Sequence, residues 1–149
     1  RRLAIGECGG LDALAHAIAR HLHDEGSQVA VLQHPDPSVQ ASQANEFEAD
    51  LFIHLSVGEP PSWTAYYATV SFESVGGHRL ADLLNASLHP LDVVCDEPRP
   101  MRLPVLRETR MPAVVVHLGP PSVVVLHTAD VARAALEAVR SWVATPLDR

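Results

Sequence analysis

Apolar residues along the chain fall into two kinds of pattern. One is the near-continuous run: Arg2 to Gly6, Gln28 to Gln33, Ala49 to Val57 ("ADLFIHLSV") and Ala113 to Leu118. Runs of this length, bounded by Gly, Pro and Asp, predict strands buried on both faces. The other is a helical stripe. Leu11, Leu14, Ala15, Ile18 and Leu22 share one face of a helix predicted over 11–25, with Gly26 as its stop. Leu80, Leu83, Leu84 and Leu88 do the same for a helix over 76–89. A last helix is expected over 129–144, capped by Thr128, and shorter ones over 38–48, capped by Ser38, and 103–110. Trp63 to Phe72 alternates enough for a fourth strand, and 91–101, with two prolines and several charges, reads as loop.

Strands alternate with helices, and the strongest strands are apolar throughout. The expectation is therefore one α/β domain over residues 1–149: three layers, a mostly parallel mixed sheet of about five to six strands, and helices on both faces. No internal repeat or low-complexity tract interrupts it. Hydrophobic residues make up 47% and charged residues 19%, a balance that supports a packed core rather than disorder. The net charge is −7 and every basic residue is Arg. Without a basic patch, nucleic acid is not an expected partner. No run approaches the roughly 20 apolar residues of a membrane span, so no membrane insertion is expected in this segment. Arg1-Arg2 leads straight into a strand, so no signal peptide is expected within this segment. Two cysteines, Cys8 and Cys95, make no disulfide framework and are read as reduced and buried.

Chemistry concentrates in three stretches. "LPVLRETRMPAVVVHLG" ends the 113–118 strand with His117, "QANEFEADLFIHLSVG" carries His54 and Ser56, and "AIGECGGLD" carries Glu7 and Cys8. In this order they resemble the closing, central and opening motifs of the zinc-dependent N-acetylmuramoyl-L-alanine amidases of bacterial cell walls. The resemblance covers nearly the whole chain and is most specific in the closing motif. It implies an amidase-like fold. In that family two His and one Glu hold a zinc with a position open for water, and a second Glu is the general base. Three ligands and an open site let zinc lower the pKa of its water to about 7.

Carried over, the family's positions are almost all replaced. The first zinc His falls on Cys8, the second on Ser56, and the base Glu on His117. The zinc Glu belongs to a loop that is missing here, since Gly9-Gly10 runs directly into "LDALAHAIARHL"; by a competing alignment Glu7 stands for it.

Each residue then has two readings. Imidazole accepts a proton near neutrality, so His117 can be a metal ligand or base; the commoner role is a polar group lining a relic cleft. His54 lies two residues before Ser56, on the same strand face, within reach of a displaced metal; a His hydrogen-bonded inside a strand is commoner. Cys8 offers a thiolate to zinc, yet a lone Cys is more often a small buried hydrophobe. Glu7 reads as a solvated turn residue, and Ser56 as a satisfied hydroxyl outside any nucleophile elbow. The remaining histidines form no ligand cluster by spacing. Trp63, Tyr66 and Tyr67 can stack on a sugar or a partner, with alternation sending one tyrosine inward.

The resemblance thus implies a degenerate amidase domain without hydrolysis or cofactor: a binding or regulatory module that recognises a peptidoglycan fragment or a cell-envelope protein. The alternative is an active zinc amidase with a site rearranged from Cys8 or Glu7, His54 and His117. A third possibility is a contact surface elsewhere, such as the acidic loop from Asp92 to Arg99. By family resemblance the expected location is the cell envelope, periplasm or exterior, with a cytoplasmic regulatory role as the other option.

Overall fold

A computed structural model describes residues 1–93 and 96–149. Cys95 lies outside the described residues. Among the described residues, six strands and five α-helices form three layers. The strands are β1 (Arg2–Glu7), β2 (Gln28–Leu32), β3 (Leu51–Val57), β4 (Trp63–Tyr67), β5 (Arg99–Met101) and β6 (Ala113–Leu118). Between and after them come α1 (Asp12–Asp24), α2 (Pro37–Glu46), α3 (Val75–Leu88), α4 (Pro104–Arg107) and α5 (Ser122–Ala144).

The sheet order is β2-β1-β3-β6-β4-β5, parallel except where β4 runs against β6. From β1 the chain moves outward to β2, then crosses back over β1 to reach β3 on its other side. Because such crossovers are right-handed, the reversal sends α1 and α2 to opposite faces. One core therefore packs Leu3, Ile5, Ile53, Leu55 and Val116 against α1, α3 and α5. The other packs Ala4, Phe52, Ala113 and Val115 against α2 and α4. Side-chain alternation along each strand sorts the two sets.

The predicted stripe of α1 is buried at Leu11, Leu14, Ala15, Ile18 and Leu22. Asp12 in its first turn and His21 and His23 in its last complement the helix dipole. Gly26, at φ +96°, takes the left-handed turn that ends it. In α3, Leu80, Leu84 and Leu88 are buried while Leu83 only packs against the core edge.

Several boundaries differ from the sequence pattern. Asp36, not Ser38, caps α2: its carboxylate accepts from Ser38 N at 2.9 Å, and Pro37 fills the first helical position, where no N–H is needed. The strand predicted over 63–72 stops at Tyr67, because the chain turns back on itself through a bridge between Ala68 and Glu73. Within the expected loop 91–101, Arg99–Met101 adds a short edge strand to β4. Helix α5 begins at Ser122, with a non-helical break at His127, so Thr128 is not its cap; the Thr128 hydroxyl bonds back to the Val124 carbonyl. Among the described residues no helix is long and apolar enough to cross a membrane.

Candidate functional site

Strands β1, β3 and β6 end side by side, and the crevice beyond their carboxyl ends lies where the crossover direction reverses. In open α/β sheets this is where ligands bind. Parallel register sets Gly6 beside His54, His54 beside Val115, and Ser56 beside His117. His54, Ser56 and His117 therefore project from the α2/α4 face. Glu7 pairs with Leu55 and projects from the other.

That opposition decides the role of Glu7. Its carboxylate accepts from Gly9 N at 2.7 Å, Leu11 N at 3.2 Å and the Gln33 side-chain amide at 2.8 Å. It is buried, not a solvated turn residue as the sequence suggested, and it holds the short Cys8–Gly10 loop onto the start of α1.

Cys8 corrects the expectation of a buried sulfur: the residue is exposed. Partial desolvation, and then the Glu7 carboxylate, push its thiol above the usual range, so it is protonated at neutral pH.

The centre of the crevice is held by a residue the sequence reading passed over. Gln40 is fully buried on α2, beneath β1. Its Nε2 donates to the His34 carbonyl at 2.7 Å and the Glu7 carbonyl at 2.9 Å, with the Cys8 sulfur at 3.4 Å. Its Oε1 faces His54 Nδ1 at 3.1 Å. Two carbonyl acceptors fix the amide's orientation, so its oxygen must receive the His54 N–H. Burial, opposed only partly by Glu7, lowers the His54 pKa to about 4, which leaves the ring neutral at physiological pH.

Gly6 gives the amide its space. A Cβ there would stand 2.2 Å from Gln40 Oε1 and 2.8 Å from Phe52 Cε1. Gly6→Ala is expected to destabilise the domain by about 1–3 kcal/mol through overpacking. An unchanged urea midpoint would remove Gln40 from this place.

His117 is the other fixed group. Its Nε2 donates to the Glu59 carbonyl at 2.9 Å, so Nδ1 is the bare nitrogen and accepts from the Ser56 hydroxyl at 3.0 Å. Trp63 stacks on the imidazole, with centroids 4.9 Å apart and planes inclined by 14°. The Arg99 guanidinium lies 5.3 Å from the Trp63 ring. The loop that supplies the Glu59 carbonyl is pinned by Ser62, whose hydroxyl exchanges 3.0 Å hydrogen bonds with Gly119.

Ser56 and His117 thus touch as a hydroxyl and its acceptor. Backbone donors nearby are spent, however: Gly58 N bonds to the Leu118 carbonyl and Gly119 N to Ser62. An acyl-transfer site needs such donors aimed at the developing oxyanion.

Zinc fits this set poorly. A hydrolytic site needs three ligands and an open position. Cys8 is a protonated thiol beside a buried amide, Ser56 is a neutral hydroxyl, and both nitrogens of His117 are engaged. Among the described residues no group of three His, Cys, Asp or Glu side chains converges.

Tyr66 turns inward and Tyr67 is half-buried, as alternation requires. Tyr66 stacks on His78, placing that histidine against the sheet's far end rather than on a free surface.

The chain matches no protein-family model and no curated protein sequence. Solved structures are another matter. N-acetylmuramoyl-L-alanine amidase AmiC2 of Nostoc punctiforme superposes with a TM-score of 0.74 at 14% identity, over 95% of this chain and 97% of that one. The N-acetylmuramyl-L-alanine amidase Ami1 of Mycobacterium smegmatis gives 0.75 at 11% identity, over 97% of both chains. The N-acetylmuramoyl-L-alanine amidase of Clostridium difficile 630 gives 0.71 at 18%, over 98% of both. At these identities the likeness is one of fold: a single α/β domain with the amidase architecture.

Proposed function

We propose that this domain is a cell-wall amidase relative that has lost hydrolysis and acts as a binding or regulatory module of the bacterial cell envelope, without a metal cofactor. Its partner is a peptidoglycan fragment or an envelope protein that docks at the crevice. The observation that carries this reading is the fate of the residues standing at the family's metal and base positions. Cys8 and His54 are tied together through the Gln40 amide, and Ser56 and His117 are tied to each other. A water-activating zinc needs free, deprotonated ligands. Here the polar groups satisfy one another except at His54 Nε2, which is what a cleft looks like after its chemistry has been replaced by structure.

The competing reading is an active zinc amidase assembled from Cys8 or Glu7, His54 and His117. It requires either Glu7 to leave the opposite face of the sheet or Cys8 to give up its proton, and His117 to release the Glu59 carbonyl or the Ser56 hydroxyl. One experiment separates the two. The purified domain is loaded with excess zinc, dialysed, and assayed for metal content, for peptide release from muropeptides, and for labelling of Ser56 by a fluorophosphonate. The expected results are zinc far below one ion per chain, no peptide release and no label. Near-stoichiometric zinc with turnover that disappears in His117→Ala would establish the amidase instead, and a labelled Ser56 would establish a serine hydrolase.

A further inference from the structure

Beside the tied residues, a cavity of about 280 Å³ opens between β3, β4, the start of α2 and α4. His54, Ser56 and the Trp63 indole N–H contribute its polar groups, and the Trp63 ring, Leu103, Val105 and Val115 its apolar walls. Its size is at the small end for a ligand pocket, enough for one substituted ring rather than an extended molecule.

The hydrogen positions around this cavity follow from the network. Gln40 must present its oxygen to His54, so His54 Nδ1 carries the proton and Nε2 is bare. Among the described residues Nε2 takes no hydrogen bond. His117 must protonate Nε2 to reach the Glu59 carbonyl, so its Nδ1 consumes the Ser56 proton. Ser56 Oγ is then left with lone pairs only. The two residues sit two apart on one strand face, so their Cα atoms are about 6.5–7 Å apart and one O–H does not serve both acceptors.

Along its His54–Ser56 floor the cavity therefore offers acceptors only, the Trp63 indole N–H on the wall being its side-chain donor, and no carboxylate lines it to balance a cation. A ligand that accepts but does not donate leaves both sites unpaired in a largely apolar setting, which is costly. A ligand carboxylate at this floor would face only lone pairs.

The geometry points to a pocket for a neutral, ring-sized apolar group that donates a hydrogen bond, through a hydroxyl or an amide N–H, to the bare His54 Nε2, with Ser56 Oγ accepting from a second donor where the ligand carries one. Trp63 and the aliphatic walls take the ring; the bare imidazole nitrogen selects for the donor. This deepens the non-hydrolytic reading and rests on it, because an acceptor-only floor persists only while no metal occupies those lone pairs.

The test uses the metal-free domain and a matched pair of probes, benzyl alcohol and benzyl methyl ether, titrated while the Trp63 indole and His54 ring signals are followed by NMR. Saturable binding of the alcohol is expected, with shifts at both residues. The ether, which lacks only the donor, is expected to bind at least about tenfold more weakly. In His54→Phe, which keeps a ring at the site, the two probes should become nearly equal. Should that variant fold poorly, the His54 ring nitrogens of the wild-type domain serve, the Nε2 resonance being expected to move on binding the alcohol and not the ether.

Equal binding of the two probes to the wild-type domain would overturn the proposal. So would saturation of neither, or shifts confined to residues away from the pocket. Zinc uptake or muropeptide turnover would sink the non-hydrolytic reading by a separate measurement, so the two failures are told apart.

Discussion

Gln40→Leu is expected to destabilise the domain by about 3–5 kcal/mol, a large share of the roughly 5–15 kcal/mol available to a domain of this size. Leucine fits the volume but removes both hydrogens and the acceptor. The carbonyls of Glu7 and His34 lose their donor at 2.9 and 2.7 Å, and His54 Nδ1 loses its acceptor at 3.1 Å. Each buried partner left unpaired costs roughly 1–3 kcal/mol, and relaxation of the exposed Cys8 loop recovers part of the total. The bond to the Cys8 sulfur matters least, because an amide has two hydrogens and the carbonyls hold them. Urea unfolding at pH 7 checks the magnitude. A double variant with His54→Leu should cost less than the sum of the single ones, since the two residues share one interaction. A loss under about 1 kcal/mol in Gln40→Leu would mean that the amide does not hold the crevice together.

A second large effect is expected on acidification. His54 has a pKa of about 4 in the folded protein, against an ordinary 6.5, because burial disfavours the imidazolium more than Glu7 favours it. Below pH 6.5 the unfolded chain takes up a proton at this residue that the folded one refuses. The contribution is therefore complete above pH 6.5 and declines as the pH falls toward about 4, by as much as roughly 3 kcal/mol. Denaturant unfolding at several values between pH 7 and 4.5 should show this slope, and His54→Gln should flatten it. Identical slopes in the two proteins would mean that His54 is not a buried neutral ring. The same transition weakens a donor-reading pocket, because protonation turns Nε2 from acceptor into donor.

The two effects bear on how much of the molecule was readable beforehand. Strands over 28–32, 51–57 and 113–118 stand out in the hydropathy pattern because parallel strands are buried on both faces and tolerate little else. The stripe of α1 stands out for the related reason that one of its faces meets the core. Helix α2 has no such signature. Its buried positions are Gln40, Ala41 and Ala44, too small and too polar to mark a face, so Gln40 reads as a surface residue until the fold places it under β1. Strand β5 spans Arg99–Met101 and contains a proline, which an edge strand accepts and a sequence pattern scores as loop. Cys8 and Glu7 were placed by type alone. One is exposed and the other buried because adjacent residues at a strand end face opposite ways, and the loop joining β1 to α1 closes over only one of them.

By itself the sequence determined the architecture: one α/β domain, a mostly parallel sheet, the helix stripes, and the three strand ends that carry unusual side chains. These follow from local periodicity and from the resemblance of three motifs, both of which survive in a linear chain. Tertiary structure alone decided what those side chains do. Whether Ser56 meets His117, whether Glu7 shares a face with His54, and whether an amide from α2 fills the space between them depend on register and on the crossover from β2 to β3. Contacts between residues tens of positions apart leave no periodic trace, because each partner has only to fit the other.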